Sequence, residues 1–149
     1  MDEIDATDRR ILNHLLLSGR DSYRDIAKAL GLAPATIMKR VKELEKAGII
    51  RNYGAVLDYE KLGYDIRVIV DVRVAKGKLF QIEKRIAKHP NVFSVYDNTG
   101  SFDATVIARF KNRSGMDKFL KELQTYDFVE RTETKLVLST IKEESTQLS

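Results

Sequence analysis

An α+β fold in two parts, three helices followed by a β-α-β-β-α-β unit, is predicted by three features of this 149-residue sequence. Apolar residues recur at helical spacing in the first third, alternate along several later stretches, and each periodic stretch is bounded by capping or turn residues. A chain of this length holds one domain or two small ones meeting near the middle. With 43% hydrophobic and 32% charged residues and few Gly or Pro, collagen-like and generally disordered chains are excluded.

The first helix is marked by Ile4, Ile11, Leu12, Leu15 and Leu16, with Asp5 and Asp8 placed to cap it and Gly19 to end it. Ser22-Tyr23-Arg24-Asp25 repeats the capping signature ahead of Ile26, Ala27 and Leu30, and Gly31 stops that helix. Pro34 suits the first turn of a third helix, whose buried stripe is Ile37, Val41 and Leu44 and whose end is Gly48. Val68, Val70, Val72 and Val74 then alternate with Arg67, Ile69, Asp71 and Arg73, which is a half-buried strand. Leu79, Ile82 and Ile86 make a helix that stops before Pro90. Residues 92–98 and 104–110 read as two strands joined through Thr99-Gly100-Ser101-Phe102, where Gly tolerates positive φ. Ser114 is placed to cap a helix with the stripe Met116, Phe119, Leu120 and Leu123, and residues 128–140 read as a final alternating strand. The second part is thus the split-βαβ, ferredoxin-like arrangement.

The expected organisation is a helix-turn-helix domain over 1–51, a connector with a short strand and turn over 52–66, a ferredoxin-like domain over 67–141 and a polar tail over 142–149. Such a unit covers one sheet face with helices. The other face mixes Ile69 and Ile107 with Arg67, Asp71 and Arg109, which suggests that a second copy covers it; a solvated face is the ordinary alternative.

Composition narrows the function. With no cysteine there is no disulfide, thiolate nucleophile or cysteine zinc site, and His14 and His89 each lack a nearby second ligand, so no zinc site is expected; an all-carboxylate Mg²⁺ or Ca²⁺ site is the alternative this count leaves open, and no metal ligand is assigned. The longest uncharged stretch, residues 29–38, is too short to span a bilayer, and the start is acidic rather than signal-like; a cytoplasmic protein without membrane partners is expected. The net charge of +4 is not concentrated at the helices: residues 1–60 carry 10 basic and 10 acidic groups, residues 61–149 carry 16 and 12. Local clustering therefore has to carry any nucleic-acid reading.

Such clustering occurs within residues 22–48, whose helix, tight turn and second helix have helix-turn-helix lengths. On a 100° wheel, Val41 and Leu44 lie within about 40° of Ile37. Ala35, Lys39, Lys42 and Lys46 fall on the opposite side with Thr36 adjoining, and Met38 and Arg40 occupy the flanks. These seven residues and Arg51, eight in all, are the expected DNA contacts, short side chains near base edges and cations near phosphates. A plain three-helix bundle with a solvated basic face is the alternative.

Asp5-Ala6-Thr7-Asp8-Arg9-Arg10-Ile11-Leu12, Gly19-Arg20, Ile26-Ala27, Leu30-Gly31-Leu32, Arg40-Val41 and Leu44-Glu45-Lys46-Ala47-Gly48-Ile49-Ile50 resemble the Lrp/AsnC, or feast/famine, transcriptional regulators. The resemblance continues through Leu62-Gly63, His89-Pro90-Asn91-Val92 and Gly100-Ser101-Phe102-Asp103 to the closing strand. It implies a sequence-specific regulator, not an enzyme, that binds double-stranded DNA through its first domain. It also implies dimerisation through the second domain, with tetramers or octamers of dimers, and in many members amino-acid sensing. One departure is Ala33, where the family usually places Ser as the recognition-helix N-cap; the change costs about 1 kcal/mol.

The resemblance also implies that the Gly-x-x-Asp loop lies between dimers, where effectors bind. No cofactor is expected beyond a free amino acid as effector. Such a ligand needs a carboxylate for its ammonium group and N–H or hydroxyl donors for its carboxylate. The candidates are Asp97, Thr99, Gly100, Ser101, Phe102 and Asp103 with Thr132 and Thr134, although a good hairpin and ordinary strand threonines would look the same. His14 reads as a packing residue, His89 as a helix end, and Tyr53, Tyr59 and Tyr64 as interdomain packing. Two other functions are the alternatives: an amino-acid sensor whose helical part binds protein, and an enzyme on the ferredoxin-like part. The enzyme lacks a nucleophile–base pair, phosphate loop or metal cluster of usable spacing.

Overall fold

The computed structural model describes residues 4–143 and 147–148. Residues 1–3 of the acidic start, and residues 144–146 and 149 of the polar tail expected over 142–149, lie outside the described residues. Two compact units are formed, Met1–Val56 with Lys142–Ser149, and Leu57–Ile141.

The first unit holds α1 (Ala6–Leu17), α2 (Tyr23–Leu30) and α3 (Pro34–Lys46). Asp5 caps α1 by accepting the Asp8 amide at 2.8 Å, and the Asp8 carboxylate accepts the Asp5 amide at 3.2 Å. Ile11, Ile26, Ala27, Ile37 and Val41 form the buried core, with Leu15, Leu30, Leu32 and Ile50 packed against it. His14 is only 18% exposed, and its Nε2 also lies 2.8 Å from Asp21 Oδ2, which ties α1 to the turn that follows it. A ring nitrogen beside a carboxylate is held by that hydrogen bond rather than by burial alone.

The second unit contains β1 (Ile66–Val74), α4 (Leu79–Arg85), β2 (Val92–Asp97), β3 (Ala104–Phe110), α5 (Arg113–Gln124) and β4 (Val129–Leu136). The strands form one antiparallel sheet in the order β2-β3-β1-β4. Val68, Val70, Val72, Val106, Ala108 and Phe110 face Ile82, Ile86, Phe119 and Leu123 in a single core. His89 does follow the helical turn, and its ring centroid lies 4.7 Å from that of Phe119.

Three expected element boundaries need correction. Asn112, not Ser114, caps α5, its side chain accepting the Gly115 amide at 2.8 Å, because the chain is still extended at 112 and already helical at 114. The final strand ends at Leu136 rather than at 140. Leu136 lies opposite Val68, and the pairing runs out with the start of β1, so Leu138 and Ile141 stand exposed. The connector over 52–66 contributes no separate strand; only Ile66 joins β1, and residues 59–63 form a turn. The open sheet face is partly covered from within the unit: Arg109 is buried with its guanidinium 5.2 Å from the Tyr59 ring and 5.7 Å from that of Phe93. Tyr53 does not join Tyr59 and Tyr64. Its hydroxyl donates to Glu45 at 2.8 Å in the first unit, whereas the other two rings pack edge to face in the second.

The α1 cap yields a pH prediction. The Asp8 amide, and after it the Arg40 guanidinium, hold the Asp5 carboxyl below its ordinary 3.8. A carboxyl lowered by folding stabilises the native state above its ordinary value, and that contribution is lost as pH falls through the lowered one. Asp5→Asn keeps an acceptor for the cap but not the charge. Its stability deficit against wild type, measured by urea unfolding, is expected to be present near neutral pH and to close as pH falls from about 5 towards about 2. A deficit constant across that range would contradict the assignment.

Candidate nucleic-acid interface and effector pocket

Helix α2 starts at a Ser22–Asp25 capping box and ends at Gly31, whose φ of +68° is the left-handed conformation that a side chain makes costly. The chain therefore reverses within Gly31-Leu32-Ala33, and Pro34 occupies the first turn of α3. Ala33 supplies no side-chain cap, so the departure noted in the sequence leaves the start of α3 to Pro34 and to backbone bonds alone. Ile37, Val41 and Leu44 are buried, which turns the rest of α3 outward.

Ala35, Thr36, Met38, Lys39, Lys42, Lys46 and Arg51 are all exposed. Lys39 is 77% exposed and loosely paired with Glu43 at 4.0 Å, an interaction that water weakens. Arg40 is different: its Nη1 donates to Asp5 Oδ2 at 2.6 Å and lies 3.2 Å from both Asp8 oxygens. Six of the eight expected contacts are thus exposed on α3, Arg51 is exposed beyond its end, beside Leu12, Leu15 and Tyr53, and Arg40 is engaged within the unit. Among the described residues no strand follows α3 in this unit.

The β2–β3 hairpin turns at Gly100, at φ +117°, and is closed by the Asn98 amide donating to the Asp103 carbonyl at 2.9 Å. Beside it lies an open depression of about 530 Å³ lined by Asp71, Asp97, Asn98, Thr99, Ser101 and Phe102. Asp103 is spent on structure: its amide donates to the Val72 carbonyl at 3.0 Å and its carboxylate accepts the Val74 amide at 2.8 Å. Thr132 and Thr134 are opposite Val72 and Val70, and cross-strand partners share a face. They therefore lie on the helix-covered side, away from Asp71, and the structure does not bring them to the hairpin depression.

Asp71 is the lining residue that the sequence reading missed, visible only as the one acid among the residues that alternate with the β1 valines. Its carboxylate accepts Lys135 Nζ and Thr105 Oγ1, both at 2.5 Å, and the lysine, then the hydroxyl, hold its pKa below the ordinary value. Among the described residues no group of three acids or histidines is placed to hold a metal ion, and no helix is long and apolar enough to cross a membrane.

The family model described as Lrp/AsnC ligand binding domain matches residues 67–147, and one described as winged helix-turn-helix DNA-binding matches residues 4–51. The chain belongs to the Lrp/AsnC family of transcriptional regulators. An HTH-type transcriptional regulator of Pyrococcus horikoshii is 45% identical over 95% of this chain and 96% of its own. The Lrp/AsnC fold is equally clear in solved structures. A transcriptional regulator of Neisseria meningitidis in complex with L-Met superposes with a TM-score of 0.88, at 29% identity over 99% of this chain and 97% of that one. E. coli AsnC gives a TM-score of 0.91 at 25% identity, over 98% of this chain and 99% of that one. The α3 surface thus belongs to the DNA-binding part, and the hairpin depression to the ligand-binding part, of an Lrp/AsnC regulator.

Proposed function

We propose that this regulator reads duplex DNA with the exposed face of α3, using Ala35, Thr36 and Met38 near base edges and Lys39, Lys42 and Lys46 near phosphates, with Arg51 beyond the helix as a further phosphate contact. The exposure of that face, opposite a fully apolar buried stripe, is the observation that carries the reading. Two copies act together, their α3 helices entering successive major grooves, so half-sites fall about 10 bp apart or a multiple of that. The protein works without a catalytic step and in the cytoplasm, alongside the DNA it binds.

A free amino acid binds at the hairpin depression, its carboxylate on the amides and hydroxyls of Thr99 and Ser101. The exposed Asp97 takes the ammonium group, because the Asp103 carboxylate is already bonded to Val74. The L-Met complex of the Neisseria meningitidis regulator supports this ligand class. Larger assemblies of dimers respond to the ligand by the difference in its affinity for each form.

Footprinting on a duplex recovered from a random-sequence pool, with thermal shift against each of the twenty amino acids, tests both parts. The expected result is a two-fold symmetric footprint and at least one stabilising amino acid whose effect Asp97→Asn removes. A single asymmetric half-site saturated by one monomer would sink the first part. Stabilisation undiminished by Asp97→Asn, or none with any amino acid, would sink the second.

A further inference from the structure

We infer that Arg40 is a positioning residue: it fixes the rotation of α3 about its own axis by clamping that helix to the start of α1, and it does not touch DNA. The inference rests on the proposed DNA-reading role of α3. The Arg40 side chain is 33% exposed, and its two partners, Asp5 and Asp8, are 46% and 12% exposed. These carboxylates are not loose side-chain ends. Each already accepts the other residue's backbone amide in the α1 capping box, so the cap itself sets where they stand.

The buried core that α1 and α3 share is apolar, through Ile11, Ile37 and Val41. Contact between aliphatic surfaces has no preferred direction and tolerates a roll of one helix on another. Charge-assisted hydrogen bonds do have direction, and the Arg40 Nη1 group, shared between two carboxylates that the cap holds in place, ties this point of α3 to the start of α1. Arg40 follows Lys39 directly and stands one helical turn beyond Thr36, so any roll that displaces Arg40 turns both by the same angle. A phosphate contact would require the guanidinium to leave both carboxylates.

Three variants of the full chain separate these roles: Arg40→Gln, the double variant Asp5→Asn/Asp8→Asn, and all three changes together. Asparagine keeps an acceptor at each capping position, and a melting curve confirms that each variant is folded at the assay temperature. The probes are a duplex recovered by the wild type from a random-sequence pool and an alternating inosine–cytosine duplex, each titrated at several salt concentrations. The expected result is a loss of roughly tenfold on the recovered duplex for both Arg40→Gln and the double variant, with little change on the alternating duplex and an unchanged salt slope. The triple variant is expected to be no worse than either, as for groups acting as one unit. A fall of about one in the salt slope for Arg40→Gln, with losses on both duplexes, would identify a phosphate contact and overturn the clamp. So would tighter binding by the double variant, which frees the guanidinium, or wild-type binding by both. Failure of the wild type to bind any duplex would overturn the DNA-reading role of α3, and the clamp with it.

Discussion

Replacing Lys39, Lys42 and Lys46 together by alanine is expected to flatten the dependence of log affinity on log salt by about 2.7. Each phosphate contact contributes a slope of about 0.9 through the counterions it releases, and three exposed cations on one helix face are proposed to make three such contacts. If the wild type and the variant converge near ~1 M salt, the loss at ~0.1 M is roughly 500-fold. The loss should be nearly the same on unrelated duplexes, because phosphates carry no sequence. Alanine is the stronger helix former and all three positions are exposed, so the fold should not suffer. Fluorescence anisotropy at four or five salt concentrations measures the slope. A slope equal to that of wild type would show that this face of α3 points away from DNA.

Phe110→Ala is expected to destabilise the second unit by about 3–5 kcal/mol, the cost of losing a buried aromatic ring and leaving a partly collapsed cavity. Phe110 is 2% exposed, sits at the end of β3 opposite Ile66, and packs its ring 5.4 Å from that of Phe119 on α5. It therefore joins the sheet to one of the two helices, and the cost is a large part of a typical domain's whole stability. Denaturant unfolding followed by near-ultraviolet circular dichroism would read it. A change below about 1 kcal/mol would mean that the core closes around the gap far better than aromatic truncations usually allow.

The two-part fold was legible because its signals are local. Capping residues at 5, 8, 22 and 25, Gly31, Pro34 and the valines of β1 each act within a few neighbours, and the helices and strands formed around them. The outward face of α3 followed from the same periodicity. What escaped the sequence depends on long-range register. Thr132 and Thr134 alternate as expected, but only pairing with Val72 and Val70 decides which face they occupy. Asp103 resembled a free acid until β1 brought the Val74 amide to it, and Arg40 resembled a surface cation until α1 packed beside α3. Asp71 joined the depression only when β1 paired with β3, which sets Asp71 opposite Thr105 beside the β2–β3 hairpin.

Time enters through the strand order β2-β3-β1-β4. Only β2 and β3 are joined by a short turn, while central β1 pairs with strands that come after it across much of the unit. Contacts between distant segments bear the entropy of closing a long loop before they return any stabilisation, so they form late. During synthesis the three helices of the first unit are complete while Val68, Val70 and Val72 still lack β3 on one side and β4 on the other. The apolar strand at the centre of the finished sheet is thus the segment that spends longest unprotected in the growing chain, and the interval during which it could pair with a neighbouring chain closes only when β4 emerges.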